Sequence, residues 1–491
     1  MSTARLTAQE LIATVLDEGS FESWDVPIPR PSGITPAYAA DLDRARARTG
    51  SDEAVLTGQG RIQGHPIAFV VSEFGFLAGS VGVACANRIE AAVRRATADR
   101  LPLLAAPASG GTRMQEGTIA FLQMVRITAA IVDHKNAGLP YLVYLRHPTM
   151  GGVFASWGSL GHLTVGEPGA LIGFLGPKVF EALHGGEFPR GVQLAENLAA
   201  HGVIDAVVSP ADLAEIAAKT IGILTAPAEP GAVAAGRPII DAPVWDSIET
   251  TREPRRPGIR RMLRDAASAA VPLFGTAEGE HQPGVVTALA RIAGVSCVVV
   301  GQDRGAQRHR GPIGPGALRQ VRRGIRLARE LRLPLVTVID TPGASLSQEA
   351  EEGGLSGEIA RCLVDLLEVD APVVSVLLGE GSGGGALALL PADRIIAAEH
   401  AWLAPLPPEG ASAILHDGDT SFAPMLAELQ GVAAANLAQH GVIDVVVSEG
   451  RSWAAFLEAL STVIAQQIAV ASAIPLGVRL RDRSERFRVD A

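Results

Sequence analysis

Apolar residues recur along this chain in short, nearly continuous runs, separated by longer stretches rich in Ala, Arg and Leu. The runs fall at 101–106, 140–145 and 169–174, and again at 333–339, 372–378 and 394–398. Such runs predict strands buried on both faces, with helices between them, in α/β units. The stretches 88–98 and 318–331 predict a helix just before the first strand of each series. Each series then continues alike: a Gly-rich turn (SGGTR at 109–113, DTPGA at 340–344), a helix, a second strand, a second Gly-rich turn and a third strand. A helix ending in His-Gly and a strand VIDxVVS close both. The first residues, MSTARLTAQELIATVLDEG, predict an amphipathic helix without a signal peptide's basic-then-apolar pattern. No apolar run approaches the ~18 residues of a membrane span; strands such as Val295–Val300 are too short.

The chain repeats itself. NLAAHGVIDAVVS at 197–209 recurs as NLAQHGVIDVVVS at 436–448, and RLPL at 100–103 recurs at 332–335. HPTMGGVFA at 147–155 aligns with EGSGGGALA at 380–388. Three matches in one order at nearly constant offset predict two copies of one domain. The Pro/Gly/Ala-rich segment 225–238 is the expected linker, and the second copy is expected to start near Ala288. Between them, REPRRPGIRR at 252–261 reads as a solvated charged face or a docking patch.

Composition narrows the chemistry. With 47% apolar and 19% charged residues over 491 positions, the chain has ample core and room for two to five domains at ~100–200 residues each. Lys and Arg total 42 against 52 Asp and Glu, which argues against a nucleic-acid binder. Three cysteines, Cys85, Cys297 and Cys362, cannot complete a four-thiolate zinc site, and isolated thiols fit a reducing cytoplasm. Eleven histidines form neither HExxH nor an i, i+4 pair, so no metal site is expected. His201 and His440 recur, but each precedes a glycine at a helix end, where a cation and a C-cap glycine are structural.

What remains is glycine. A Gly-Gly turn between a buried strand and a helix leaves backbone N–H groups free and lets a ligand approach the main chain. Two such amides converging on one oxygen make an oxyanion hole. The candidates are Gly110, Gly111 and Thr112 in the first copy, and Gly383, Gly384, Gly385 and Ala386 in the second. Gly379–Gly384 also satisfies GxGxxG, but Pro391 truncates the next helix and the first copy lacks the pattern, against a dinucleotide site. Arg113, expected in the first helical turn after SGG, opposes the helix dipole and so should answer a carboxylate or a ligand phosphate.

Several blocks now resemble a known family. FLAGSVG (76–82), SGGTRMQEG (109–117) and the run 146–177 resemble the β subunit of acetyl-CoA carboxylase carboxyltransferase. VWDSIETTREPRRP (244–257), RLPLVTVIDTPGA (332–344), GEGSGGGALAL (379–389) and PPEGASAIL (407–415) resemble its α subunit. The resemblance covers nearly the whole chain and implies two tandem α/β domains of the crotonase (ClpP/crotonase) type. Residues 1–230 would face acyl-CoA and residues 231–491 would face biotin. Two departures stand out: no cysteine precedes Cys85, so the zinc ribbon of the bacterial β subunit is missing, and Thr112 stands where the family commonly has Ala.

The resemblance also implies a reaction. Carboxybiotin on a separate carrier protein releases CO₂, the biotin anion removes the α-proton of acyl-CoA, and the enolate captures CO₂, giving malonyl-CoA-type products for fatty acid biosynthesis. By motif position Gly111 and Thr112 would stabilise the enolate, and Gly385 and Ala386 the biotin ureido oxygen. Gly79, Gly110, Arg113, Met150, Gly151, Gly152, Gly343, Ala344 and Gly384 would line the substrate sites. No covalently bound cofactor is expected. With neither MKM nor a P-loop in the sequence, biotin carboxylase and the biotin carrier belong on other chains. In this family the active site forms between protomers, implying a homodimer or a trimer of dimers, with no nucleic-acid or membrane partner. A decarboxylase of malonyl- or glutaconyl-type thioesters and a non-catalytic scaffold subunit are the alternatives. Acyl-chain preference is open, with small Ala388 pointing to an apolar pocket floor.

Overall fold

The computed structural model describes residues 5–29, 32–227, 243–450 and 452–488. The chain divides into two units, Met1–Leu224 with Ala277–Gly279, and Thr225–Thr276 with Glu280–Ala491. The boundary expected at 230/231 falls within 228–242, outside the described residues.

In the first unit the strands are β1 (Glu22–Ser23), β2 (Val55–Ile62), β3 (His65–Ser72), β4 (Leu103–Ala106), β5 (Tyr141–Leu145), β6 (Thr149–Met150), β7 (Leu163–Gly166), β8 (Ile172–Gly173) and β9 (Ala206–Val207). Seven form one sheet in the order β1-β2-β3-β4-β5-β7-β9, while β6 and β8 pair as a separate ribbon. Pairing is antiparallel from β1 to β3 and parallel from β3 onward.

The second unit contains β10 (Ala267–Leu273), β11 (Val285–Ile292), β12 (Val295–Gln302), β13 (Leu335–Thr341), β14 (Val373–Ser382), β15 (Arg394–Ala398), β16 (Trp402–Ala404) and β17 (Val445–Val447). Its sheet runs β10-β11-β12-β13-β14-β15-β17, with β16 beside the end of β14. Again an antiparallel start leads into a parallel remainder. The helices Val83–Ala98 and Pro315–Leu331 occupy the same place, between the hairpin and the next strand of each sheet.

The duplication reaches single residues. Each helix runs out at Arg-Leu-Pro-Leu, where Arg100 and Arg332 adopt φ of 53° and 54°, a left-handed turn unusual for a residue with a side chain. Val83–Ala98 buries Ala86, Ile89, Val93 and Ala96, the 3–4 spacing that turns one helical face to the sheet. His201 and His440 sit at their helix ends, each with Nδ1 2.8 Å from a carbonyl, of Asn197 and Asn436, followed by Gly202 and Gly441 at positive φ.

Several expectations are corrected. The third sheet strand of the first unit is Leu163–Gly166, not 169–174; a turn at Gly169 (φ 66°) separates it from the short β8. The second sheet starts at Ala267, upstream of Ala288, because its edge strand β10 precedes the hairpin. The basic run 252–261 is not simply a solvated face. Arg252, Arg256 and Arg260 recur every four residues and pair with Glu409, Glu449 and Asp303, and Arg256 is buried. Among the described residues one helix, Trp453–Ala473, is long and apolar enough to cross a membrane by length and composition, despite Glu458 and paired glutamines. Here it buries Phe456, Leu457, Leu460, Ile464 and Ile468 and packs on strands of the second sheet.

Candidate active site

In the first unit, β4 ends at Ala106, and after Pro107-Ala108 the chain turns through Ser109-Gly110-Gly111-Thr112. A second turn, Met150-Gly151-Gly152, leaves β6 directly opposite. Main-chain bonds lock the two together: Ser109 N–H donates to Pro148 O (2.7 Å) and Met150 N–H to Ser109 O (2.9 Å). A Cβ on Gly111 would lie 3.6 Å from Met150 O and 3.9 Å from Gly152 N. Gly111 also has φ of 111°, a conformation side chains resist. Gly79 is buttressed from below; a Cβ there would stand 2.0 Å from Ala108 O. Thr112 Oγ1 would touch a Cβ on Gly152 at 3.4 Å. Gly79, Gly110, Gly111, Thr112, Met150, Gly151 and Gly152 therefore share one small region.

The second unit repeats the arrangement 232 residues on. Thr341, Gly343 and Ala344 stand for Ser109, Gly111 and Thr112. Gly111 N–H donates to Ser109 Oγ at 3.0 Å, and Gly343 N–H to Thr341 Oγ1 at 3.1 Å. Val81 bridges Thr112 in parallel register, and Ile313 bridges Ala344. Gly343 has φ of 137°. Facing it, the helix Gly383–Leu387 begins at the end of β14, and a Cβ on Gly385 would lie 3.3 Å from Ala344 N. Gly384 and Gly385 lie in the first turn of that helix, where N–H groups have no intrahelical partner, and Ala386 closes that turn.

This geometry corrects one detail. The Gly111 amide is not free, because Ser109 Oγ takes it, and Gly110 N–H donates to Ala78 O at 2.9 Å. Among the described residues Thr112 N–H has no protein acceptor, and neither does its counterpart Ala344 N–H. Gly111 and Gly343 contribute conformation and an absent side chain. Sequence reasoning passed over Val153, the counterpart of Ala386. The offset of 233 between HPTMGGVFA and EGSGGGALA, already legible, identifies it.

Arg113 answers a carboxylate. Its guanidinium is buried behind the turn, 2.5 Å from Glu53 Oε1, and donates to Ser80 O at 2.8 Å. Burial opposes its charge most strongly, but the charge and hydrogen bond of Glu53, together with Cys85 and Tyr38 nearby, leave the pKa raised. Glu116 completes the cluster, accepting from Val83 N–H at 2.6 Å and from Tyr38 Oη at 2.5 Å. Under the second turn Asp340 is fully buried; burial raises its pKa although Arg304 Nε stands 3.6 Å away. A cavity of about 830 Å³ lies on the outer face of helix Val83–Ala98, lined by Trp24, Ile34, Tyr38, Ala91 and Glu116 among others. None of the turn residues lines it. Among the described residues no group of three His, Cys, Asp or Glu side chains could hold a metal ion.

Comparison with known proteins gives this geometry a context. Residues 2–449 match the family model described as "Carboxyl transferase domain". The "Probable biotin-dependent acyl-coenzyme A carboxylase beta3 subunit" of Mycobacterium tuberculosis is 54% identical over 491 residues, covering 99% of this chain and 98% of the relative. The "Acetyl-coenzyme A carboxylase carboxyl transferase subunits beta/alpha" of Salinispora arenicola is 36% identical, covering 99% and 90%. Among solved structures, transcarboxylase 12S with methylmalonyl-coenzyme A bound matches with a TM-score of 0.77 at 21% identity, over 96% of this chain and 90% of that one. That likeness shows the fold: two tandem domains of the crotonase type.

Proposed function

We propose that this chain, which belongs to the carboxyl transferase domain family, moves a carboxyl group from carboxybiotin to the α-carbon of acetyl-CoA or another short acyl-CoA. The coarser activity, biotin-dependent acyl-CoA carboxyltransferase, follows from the family. Carboxybiotin, carried by a separate protein, and acyl-CoA are substrates, and the product is of the malonyl-CoA type. The observation that supports the reading is the duplicated pair of facing glycine turns.

Thr112 N–H, with the amides at Gly152 and Val153, receives the thioester oxygen as the enolate forms. Ala344 N–H, with Gly385 and Ala386, receives the ureido oxygen of biotin as CO₂ departs. Both charges are oxygen-centred and transient, so preorganised donors suffice, each worth ~3–4 kcal/mol in the transition state. The biotin anion takes the α-proton, and the protein needs no general base of its own. Arg113 stands behind the turn and holds it in shape. The partners are a biotin carboxylase and a biotin carrier on other chains, in the cytoplasm. The assembly is a homodimer or a trimer of dimers, a reading supported by exposed apolar side chains at Met114, Ile119, Phe121 and Val125.

The test supplies the purified protein with its carboxylase and carrier, ATP and labelled bicarbonate, and acetyl-, propionyl- or butyryl-CoA in turn. Acid-stable label in at least one short acyl-CoA is the expected result. No label in any of them, with the carrier demonstrably carboxylated, overturns the reading.

A further inference from the structure

A peptide C=O and the following N–H share one plane and point in opposite directions. Fixing the carbonyl therefore aims the amide. The carbonyl of Gly385 belongs to the peptide that carries Ala386 N–H, and it accepts a hydrogen bond from Gln302 Nε2 at 2.6 Å. Gln302 is fully buried at the end of β12. Its Oε1 accepts from Asp340 N–H at 3.1 Å, at the entry to the Thr341-Pro342-Gly343-Ala344 turn. One carboxamide thus ties both glycine turns of the second unit together.

The first unit treats the equivalent peptide in the same way with a different residue. The carbonyl of Gly152, whose plane carries Val153 N–H, accepts from Ser156 Oγ at 2.5 Å. The two units share no residue type at these donors, yet each places a side-chain donor on the same carbonyl. The helix Gly383–Leu387 is too short to serve Gly385 O itself: Ala388 N–H goes to Gly384 O and Leu389 N–H to Ala386 O, so the donor comes from a side chain outside the helix. A donor on the C=O also polarises the peptide and strengthens its N–H as a hydrogen-bond donor.

We infer that Gln302 and Ser156 are positioning residues that aim and polarise the anion-binding amides of Ala386 and Val153. The inference rests on the proposed use of those amides in carboxyl transfer. Neither side chain touches the substrate; each acts through a peptide plane.

The test measures steady-state carboxyl transfer by Gln302→Met and Ser156→Ala proteins in the full complex with carboxylase and carrier. Each variant should lose kcat by roughly 10- to 100-fold, with KM for acyl-CoA within about twofold of wild type. Circular dichroism and thermal unfolding establish that the proteins are folded. A folded Gln302→Met protein with wild-type kcat overturns the inference, as does a loss confined to KM. If Gln302→Met does not fold, Ser156→Ala decides: reduced kcat supports the inference and unchanged kcat overturns it. A wild-type protein that transfers no carboxyl group refutes the proposed function instead, so the two failures are distinct.

Discussion

Removing the Arg113 guanidinium should destabilise the first unit more than it disturbs any ligand. Arg113 and Glu53 have side chains only 1% and 3% exposed, with a 2.5 Å contact. An Arg113→Met substitution leaves the Glu53 carboxylate buried without its cation, a change that costs about 3–5 kcal/mol. It also strips a donor from Ser80 O, worth ~1 kcal/mol. For a unit of this size each kcal/mol shifts Tm by about 2–4 °C, so the fall should be roughly 8–24 °C. A Glu53→Leu, Arg113→Met double variant removes the stranded charge and should recover most of the loss. Burial raises the Glu53 pKa even with Arg113 in place. In the single variant the penalty is therefore full at neutral pH and shrinks as pH falls and the carboxyl takes up its proton. Thermal and urea unfolding of wild type, Arg113→Met, Glu53→Leu and the double variant at pH 7.5 and pH 5 supply the cycle. A loss under 1 kcal/mol, or a double variant no more stable than the Arg113→Met protein, refutes the reasoning.

Two further outcomes follow. His134 is fully buried between Thr97 Oγ1 and Pro140 O, and burial lowers its pKa from 6.5 to about 4. The unfolded chain then binds the proton more readily, so stability is full above pH 6.5 and falls by about 3 kcal/mol as pH drops toward 4; urea midpoints should show that slope and a His134→Gln variant should flatten it. Gly79→Ala forces a methyl against Ala108 O at 2.0 Å, where backbone must move, at φ of 63°. That variant should lose at least ~1–3 kcal/mol and most of its kcat, as read by unfolding and transfer assays; a fully active, equally stable protein would show that the turn does not rest on Gly79.

Much of this was legible in the sequence because duplication is a strong signal. RLPL, recurring at 100 and 332, marks the end of equivalent helices, and the strands at 333–339, 372–378 and 394–398 follow from apolar runs buried on both faces. The exception at 169–174 is instructive. Ala170, Leu171 and Ile172 are apolar, but Gly166 and Gly169 break the run, and LTVG just before is the sheet strand. Local hydrophobicity does not say which of two adjacent short segments finds a partner. Arg113 was ambiguous for a related reason, since its answering carboxylate, Glu53, lies 60 positions upstream. Gln302 carried no signal at all: a glutamine after VSCVVVG looks like a strand end, and only the fold brings it to Gly385 and Asp340.

If paired backbone amides in both units perform carboxyl transfer, a methyl group at either glycine turn should silence the reaction. Gly111→Ala places a methyl between the turns of the first unit, 3.6 Å from Met150 O, and Gly385→Ala places one 3.3 Å from Ala344 N in the second. Transfer of labelled carboxyl from the carboxylated carrier to acyl-CoA should be followed for wild type and for each variant, all shown to be folded. Wild type should yield labelled carboxyacyl-CoA, and kcat should fall roughly 10²- to 10³-fold in each variant. Wild-type kcat in either folded variant would contradict it.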